Sequence, residues 1–359
     1  MGQFAYRSWV EISLGQIAAN FQAVRSVVGP EVEVMPVVKA DAYRHGATEV
    51  SKVLMQSCRR GRAVSTVGEG AALRDAWAEL AIATKIIKTS GDETLRGIAE
   101  PVDRHAGRKG MFTAEIERAL LAEEFDVAVH SAKDLPSEKM PDLEISSVLP
   151  RAPVDDVLIM KESGDFVSLR AGAVVATGSV RRAYQLQAKR ADLRIVDLRG
   201  NVPTRLRKLI ENDWDALVLA RAGLERLGFE PTRQSFQFEG TKLLTELLSD
   251  FVPAGGQGVI ALQTRSEDEK TKSLVERVNH AETFLCLRAE REFLRLLHGD
   301  CNSPVGVLAE IVKQEMTVRA QVFDSNGRSR KEKIRSSIRD QPPEHVSAAL
   351  FAWMYGQKK

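Results

Sequence analysis

The chain has 359 residues, a formal net charge of +2, 43% hydrophobic residues and 28% charged residues. That length holds two or three domains with real cores, and so small a net charge gives no ground for nucleic-acid binding. Its cysteines, Cys58, Cys286 and Cys301, are too few and too scattered for a disulfide framework or a structural zinc site, so no metal and a reducing, cytoplasmic setting are expected. The opening "MGQFAYRSWVEISLG" lacks a basic stretch followed by an apolar core, and no run approaches the roughly 18 apolar residues of a membrane span. Neither a secretory leader nor a membrane is therefore expected.

Strand-like and helix-like stretches alternate along the chain, which points to an α/β fold. "VEVMPV" (33–38) reads as a buried strand and "ATEVSKVLMQ" as the helix after it. "GRAVSTV" followed by "GEGAALRDAWAEL" (61–80) repeats that order, and "ATKIIKTSGDE" (83–93) is a strand ending in a polar turn. "FTAEIERALLAEE" spaces Ile116, Ala119, Leu120 and Leu121 for a helix, with Thr113 as its expected N-cap and Glu115 favourable in the first turn. "FDVAVHS", "AVVATGS", "RIVDLR", "DALVLA" and "VIALQTR" then read as short buried strands, while 229–250 shows no clear element.

Three of these strands end in basic segments: "HSAKD" (130–134), "TGSVRR" (177–182) and "LRGNVPTRLRK" (198–208). Ligands of open α/β sheets bind at strand carboxyl ends, where backbone N–H groups and helix N-termini converge. Guanidinium forks and hydroxyls added there suit a ligand with several carboxylates; solvated surface charge is the alternative for any one of these residues. Asp134 follows its strand directly, beside Ser131 and Lys133. A carboxylate among cations stays ionised and can stabilise a cationic intermediate or exchange a proton with a leaving group. A surface Lys–Asp pair at a turn is the plainer alternative.

These residues carry a resemblance. From about residue 85 to 340 the chain resembles the hydroxymethylbilane synthase (porphobilinogen deaminase) family, through "IKTSGD" (87–92), "KGMFTAEIE" (109–117), "DVAVHSAKDLP" (126–136), "ATGSVRR" (176–182), "VDLRGNVPTRLRKL" (196–209), "LARAGLERLG" (219–228), "GGQGVIAL" (255–262), "NHAET" (279–283), "AEREFLR" (289–295) and "GDCNSPVG" (299–306). The resemblance implies a transferase of tetrapyrrole (porphyrin) biosynthesis that joins four porphobilinogen units into hydroxymethylbilane, releasing ammonia at each addition. It implies a dipyrromethane cofactor held by a thioether to Cys301, and Asp134 as the catalytic carboxylate. Lys109, Ser131, Lys133, Thr177, Ser179, Arg181, Arg182, Arg199 and Arg205 match positions that hold the acetate and propionate groups of cofactor and substrate. The implied architecture is two periplasmic-binding-protein-like lobes, 81–154 with 251–280 and then 155–250, plus a small α+β cofactor-anchoring domain at 281–359. A monomer is expected, with porphobilinogen as partner and neither nucleic acid nor membrane.

The N-terminus departs from that family. The family's opening T-R-x-S-x-L-A segment does not precede "IKTSGD". Residues 7–79 resemble instead the N-terminal part of alanine racemase, through "RSWVEISLGQIAANFQAVRSVVG", "VMPVVKADAYRHGA" and "AVSTVGEGAALRDA". Lys39 matches that family's pyridoxal-phosphate lysine, Tyr43 sits in the same motif, and Arg44 stands where a glycine is usual. Two strand–helix units cannot close a (β/α)₈ barrel, so residues 1–80 are read as an incomplete barrel-like segment, from a gene fusion, an assembly artefact or an engineered chimera, and Lys39 as an ordinary lysine. "RAVSTV" and the helix after it would fill the vacant sheet position without the family's arginine, leaving Ser65 and Thr66 as hydroxyl replacements.

Three function readings follow: a synthase whose activity the missing segment lowers, a non-catalytic polycarboxylate-binding homologue, or pyridoxal-phosphate chemistry at Lys39. The first is preferred. Smaller departures are Gly178 in place of a hydroxyl residue, Arg108 in place of a glycine, and "HGDCNSP" around Cys301. Arg221 is either a further anion contact or a solvated arginine, and Cys58 and Cys286 are ordinary interior thiols.

Overall fold

The computed structural model describes residues 113–356, apart from 139, 163, 299–303 and 339–340. The chain divides into two units, Met1–Ile87 and Lys88–Lys359, and the described residues belong to the second. The barrel-like segment 1–80, the strands read before residue 94, and Lys39, Lys109 and Cys301 lie outside the described residues.

In chain order, α1 (Ala114–Leu121) precedes β1 (Ala128–Ser131), a single 3₁₀ turn (Ala132–Asp134), β2 (Leu143–Val148), β3 (Asp156–Met160) and β4 (Val174–Ala176). Next come α2 (Val180–Lys189), β5 (Arg194–Val196), α3 (Val202–Glu211), β6 (Ala216–Ala220), α4 (Arg221–Glu225), β7 (Ser235–Phe238) and β8 (Thr241–Leu247). The chain closes with β9 (Ile260–Arg265), α5 (Glu269–Val275), α6 (Ala281–Leu296), β10 (Val305–Val312), β11 (Glu315–Phe323), β12 (Ser329–Ser337) and α7 (Pro343–Tyr355). The fold is mixed α/β.

The strands form three sheets, ordered β1-β9-β2, β5-β4-β6-β3-β8-β7 and β10-β11-β12. The six-stranded sheet is parallel across β5-β4-β6 and antiparallel from β6 through β3 and β8 to β7. Its central strands are apolar on both faces because both faces are covered. Leu158, Met160, Val175 and Val218 pack with Leu186 of α2 on one side. Their neighbours Val157, Ile159, Ala176, Leu217 and Leu219 pack with Leu206 and Leu209 of α3 on the other. Period-2 alternation thus feeds two separate cores from the same strands.

Residues 229–250, which show no element by sequence pattern, contain the β7–β8 hairpin. Its turn is Glu239-Gly240, both at positive φ (47° and 81°), as a two-residue hairpin turn of the I′ type requires. Thr113 stands at the N-cap position of α1, but its backbone is in the helical region and its hydroxyl makes no capping bond. The expected cap is thus a position without its hydrogen bond. Glu115 does fall in the acidic first turn.

The last sheet packs on α6 and α7 through Phe293, Val307, Met316, Val318, Val346 and Leu350. Among the contacts that join this α+β unit to the rest is one buried carboxylate. Glu290 of α6 receives Arg151 Nη1 and Nη2 at 2.6 and 3.1 Å, the Gly256 N–H at 2.7 Å and the Ala309 N–H at 2.8 Å. Arg151 also donates from Nε to the Gln257 carbonyl at 3.0 Å. Removing one partner of a buried pair strands the other charge. Glu290→Leu is expected to cost about 3–5 kcal/mol, read as a lower urea midpoint of the full chain; an unchanged midpoint would show that the pair contributes nothing.

Candidate active site

Three backbone turns bring the basic strand exits together. At the first, β1 ends at Ser131 and the chain tightens through Ala132–Asp134, anchored by the Ala132 N–H on the Val259 carbonyl at 3.0 Å. Gly256, at φ +75°, lies directly behind: a Cβ there would stand 2.9 Å from the Ala132 carbonyl carbon and the Lys133 nitrogen. Only glycine permits so close an approach. Lys133 is half-buried and Asp134 is exposed.

At the second exit, β4 leads through Thr177-Gly178-Ser179 into α2. The Ser179 N–H donates to Thr177 Oγ1 at 3.2 Å, and Ser179 caps the helix by accepting the Arg182 N–H at 3.4 Å. Gly178 passes the next strand closely: a Cβ would lie 2.5 Å from the Leu198 carbonyl oxygen. The position therefore has no room for the hydroxyl side chain seen as missing in the sequence. At the third exit, Asn201 caps α3 by accepting the Thr204 N–H at 2.9 Å, and Arg205 Nε donates to the Gly200 carbonyl at 2.6 Å. Arg199 is half-exposed and pairs with Asp197 at 2.7 Å.

Arg181 and Arg182 are only 3% and 6% exposed. They converge on Asp156, the first residue of β3, whose side chain is wholly buried. Arg182 reaches Asp156 Oδ1 through Nε at 3.0 Å and Nη2 at 2.7 Å, and Arg181 Nη1 stands 2.8 Å from Oδ2. Gln257 Nε2 donates to the same Oδ1 at 2.9 Å. Burial alone would raise the Asp156 carboxyl, but the two guanidiniums prevail and hold it far below the usual carboxylate range.

The charges act as one group. Burial pushes Lys133 below the ordinary lysine value; Asp134 and Asp156 oppose that, whereas Arg182 and Arg205 add to it. Arg205 is lowered to about 10, chiefly by burial and then by Arg182, against the pull of Asp134. Ser131, Lys133, Asp134, Thr177, Ser179, Arg181, Arg182, Arg199 and Arg205 thus lie at the three neighbouring exits. Arg221 does not join them: its Nη1 binds Asp155 at 3.1 Å and its Nε binds Glu225 at 2.6 Å. Sequence reasoning missed Asp156 and Gln257. The available signal for the first was "DD" at the mouth of an all-apolar strand. A separate cavity of about 1110 Å³, lined by Leu135, Met140, Ile145, Phe284 and Arg291 among others, contains none of these site residues.

The structure is a mixed α/β fold with cations and exposed carboxylates gathered at neighbouring sheet exits, a charge pattern that suits polycarboxylate ligands. The chain belongs to the porphobilinogen deaminase family. Residues 64–273 match the family model described as "Porphobilinogen deaminase, dipyromethane cofactor binding domain", and residues 284–354 match "Porphobilinogen deaminase, C-terminal domain". The chain is similar to the porphobilinogen deaminase of Syntrophomonas wolfei, 41% identical over 276 residues that cover 75% of this chain and 83% of the relative. It is 40% identical to that of Roseiflexus sp. over 281 residues, covering 78% and 87%. Among solved structures the likeness is weak: the periplasmic VFT2 domain of Bordetella pertussis BvgS gives a TM-score of 0.37 at 16% identity, over 74% of this chain and 90% of that one. The alanine racemase resemblance of residues 7–79 gains no support, since its last part, 64–79, lies inside the deaminase match.

Cys286 lies on α6, buried against the C-terminal core. Burial, and then the nearby Glu290, push its thiol up to about 12. Only thiolate alkylates. Native Cys286 is therefore expected to react with iodoacetamide about a thousandfold more slowly at pH 8 than a thiol of ordinary pKa, with peptide mass spectrometry as the readout.

Proposed function

We propose that the Lys133–Asp134 turn, with the N-terminal turns of α2 and α3, is where this hydroxymethylbilane synthase adds porphobilinogen to its growing chain. The observation that carries the reading is the meeting of Lys133, Arg182 and Arg205 around one exposed carboxylate, Asp134. The family's dipyrromethane suits these residues, because each pyrrole unit brings two carboxylates and the exits offer cations, hydroxyls and helix N-termini. When bound, that group supplies the nucleophilic pyrrole carbon that receives the next unit.

Lys133, Arg199 and Arg205 would hold acetate and propionate groups of cofactor and substrate, with Lys109 added from the same motif set. Ser131, Thr177 and Ser179 would orient them by hydrogen bonds, and Arg181 and Arg182 would supply the positive field beneath. Asp134 is exposed and can approach a ring nitrogen. There it would stabilise positive charge developing as ammonia departs, and pass a proton to or from the reacting unit. Cys301 would anchor the cofactor, since a soft thiol captures an electrophilic methylene carbon. The sheets suggest the larger arrangement: one lobe from 113–154 with 251–280, a second from 155–250, and the anchoring domain from 281.

Purified protein is expected to carry a two-pyrrole adduct visible in its intact mass and absent from Cys301→Ser. Asp134→Asn is expected to lower the rate of ammonia release by about 10²–10⁴-fold, measured with porphobilinogen at saturation. Full turnover in that variant would remove Asp134 from the chemistry. An adduct-free wild-type protein that binds porphobilinogen without ammonia release would be a binding homologue.

A further inference from the structure

Asp156 is on neither the exposed rim nor the set of matched site positions, yet three segments meet at it. Arg181 and Arg182 come from α2, Gln257 comes from the stretch leading into β9, and Asp156 itself opens β3. Gln257 Nε2 also donates to the Val154 carbonyl at 2.7 Å. Arg181 Nη1 donates to the Val252 carbonyl at 2.9 Å, and Gln185 brackets Val252 with two 2.9 Å bonds, one to its carbonyl and one from its N–H. Both chain crossings between the first and second sheets, 149–155 and 248–259, are therefore fastened to the N-terminal half of α2 around one carboxylate.

We propose that Asp156 is a positioning residue for carboxylate binding: it fixes Arg181 and Arg182 beneath the site and balances the cations gathered beside Lys133. The role rests on the function proposed above. Lys133 is faced by Asp134 on its own turn, Arg182 from α2, Asp156 from β3 and Arg205 from α3. Two of these are cations, and burial already disfavours the charged lysine. Asp156 and Asp134 are the counterweights, and Asp156 is held by hydrogen bonds from Arg182 and Gln257. Without its charge, Lys133 would release its proton at lower pH, and its grip on carboxylates would fail from the alkaline side first.

The test is Asp156→Asn in the full chain, with three readouts: thermal midpoint, the Lys133 side-chain NMR titration, and kcat/KM for porphobilinogen against pH. The expected result is a Lys133 midpoint and an alkaline limb both moved to lower pH, with KM at pH 8 raised severalfold. A lower thermal midpoint with Lys133 and the alkaline limb unmoved would overturn the proposal and leave Asp156 a stabilising ion-pair partner only. If the Asn variant does not fold, Asp156→Glu keeps the charge while changing its reach. The proposal then requires an unmoved Lys133 titration with a raised KM, and an unchanged KM overturns it. Because the lysine titration needs no turnover, it tests Asp156 even if the wild-type protein proves to make no product.

Discussion

The site depends first on an interaction that touches no ligand: the carboxylate of Glu290, buried under the C-terminal sheet and filled by Arg151 and two backbone N–H groups. One of those N–H groups belongs to Gly256, and the backbone of Gly256 lies against the Lys133 turn with no space for a side chain. A contact between the C-terminal unit and the stretch leading into β9 therefore sets the back wall of the turn that presents Asp134. A fully occupied buried carboxylate has one arrangement that satisfies it, and that singleness lends precision to a turn several residues away.

Cations gathered at neighbouring strand exits repel one another. The fold answers with placement. Arg181 and Arg182 are sunk around Asp156, Arg199 leans on Asp197, and Arg205 is tied through Nε to the Gly200 carbonyl. What remains toward the rim is Lys133 with Asp134. The division explains why basic residues of similar appearance in the sequence have different surroundings: two are fixed by a buried counterion, and others stay within reach of solvent.

Much of this was legible beforehand because the strands are short apolar runs that end in polar or basic residues. β1, β4, β5, β6 and β9 all lie within stretches readable that way. β3 ("DVLIM") is short and wholly buried, and a run of that kind looks alike as strand or buried helix. The β7–β8 hairpin escaped because its Glu-Gly turn lies outside the commonest Asn-Gly and Asp-Gly signals. Asp156 escaped for a deeper reason. Nothing local distinguishes a buried aspartate from a surface one; its partners are 25 and 26 positions away on α2 and 101 positions away at Gln257. Arg221 shows the converse, since its neighbours Asp155 and Glu225 settle a choice that its own segment left open.

Cys286 gives the chemistry a second condition. Besides Cys301, proposed above as the cofactor's anchor, the chain carries a sulfur on α6 at Cys286. Burial and the negative charge of Glu290 keep that sulfur protonated and silent. The carboxylate that sets the back wall of the Lys133 turn thereby also lowers the reactivity of a buried thiol on its own helix.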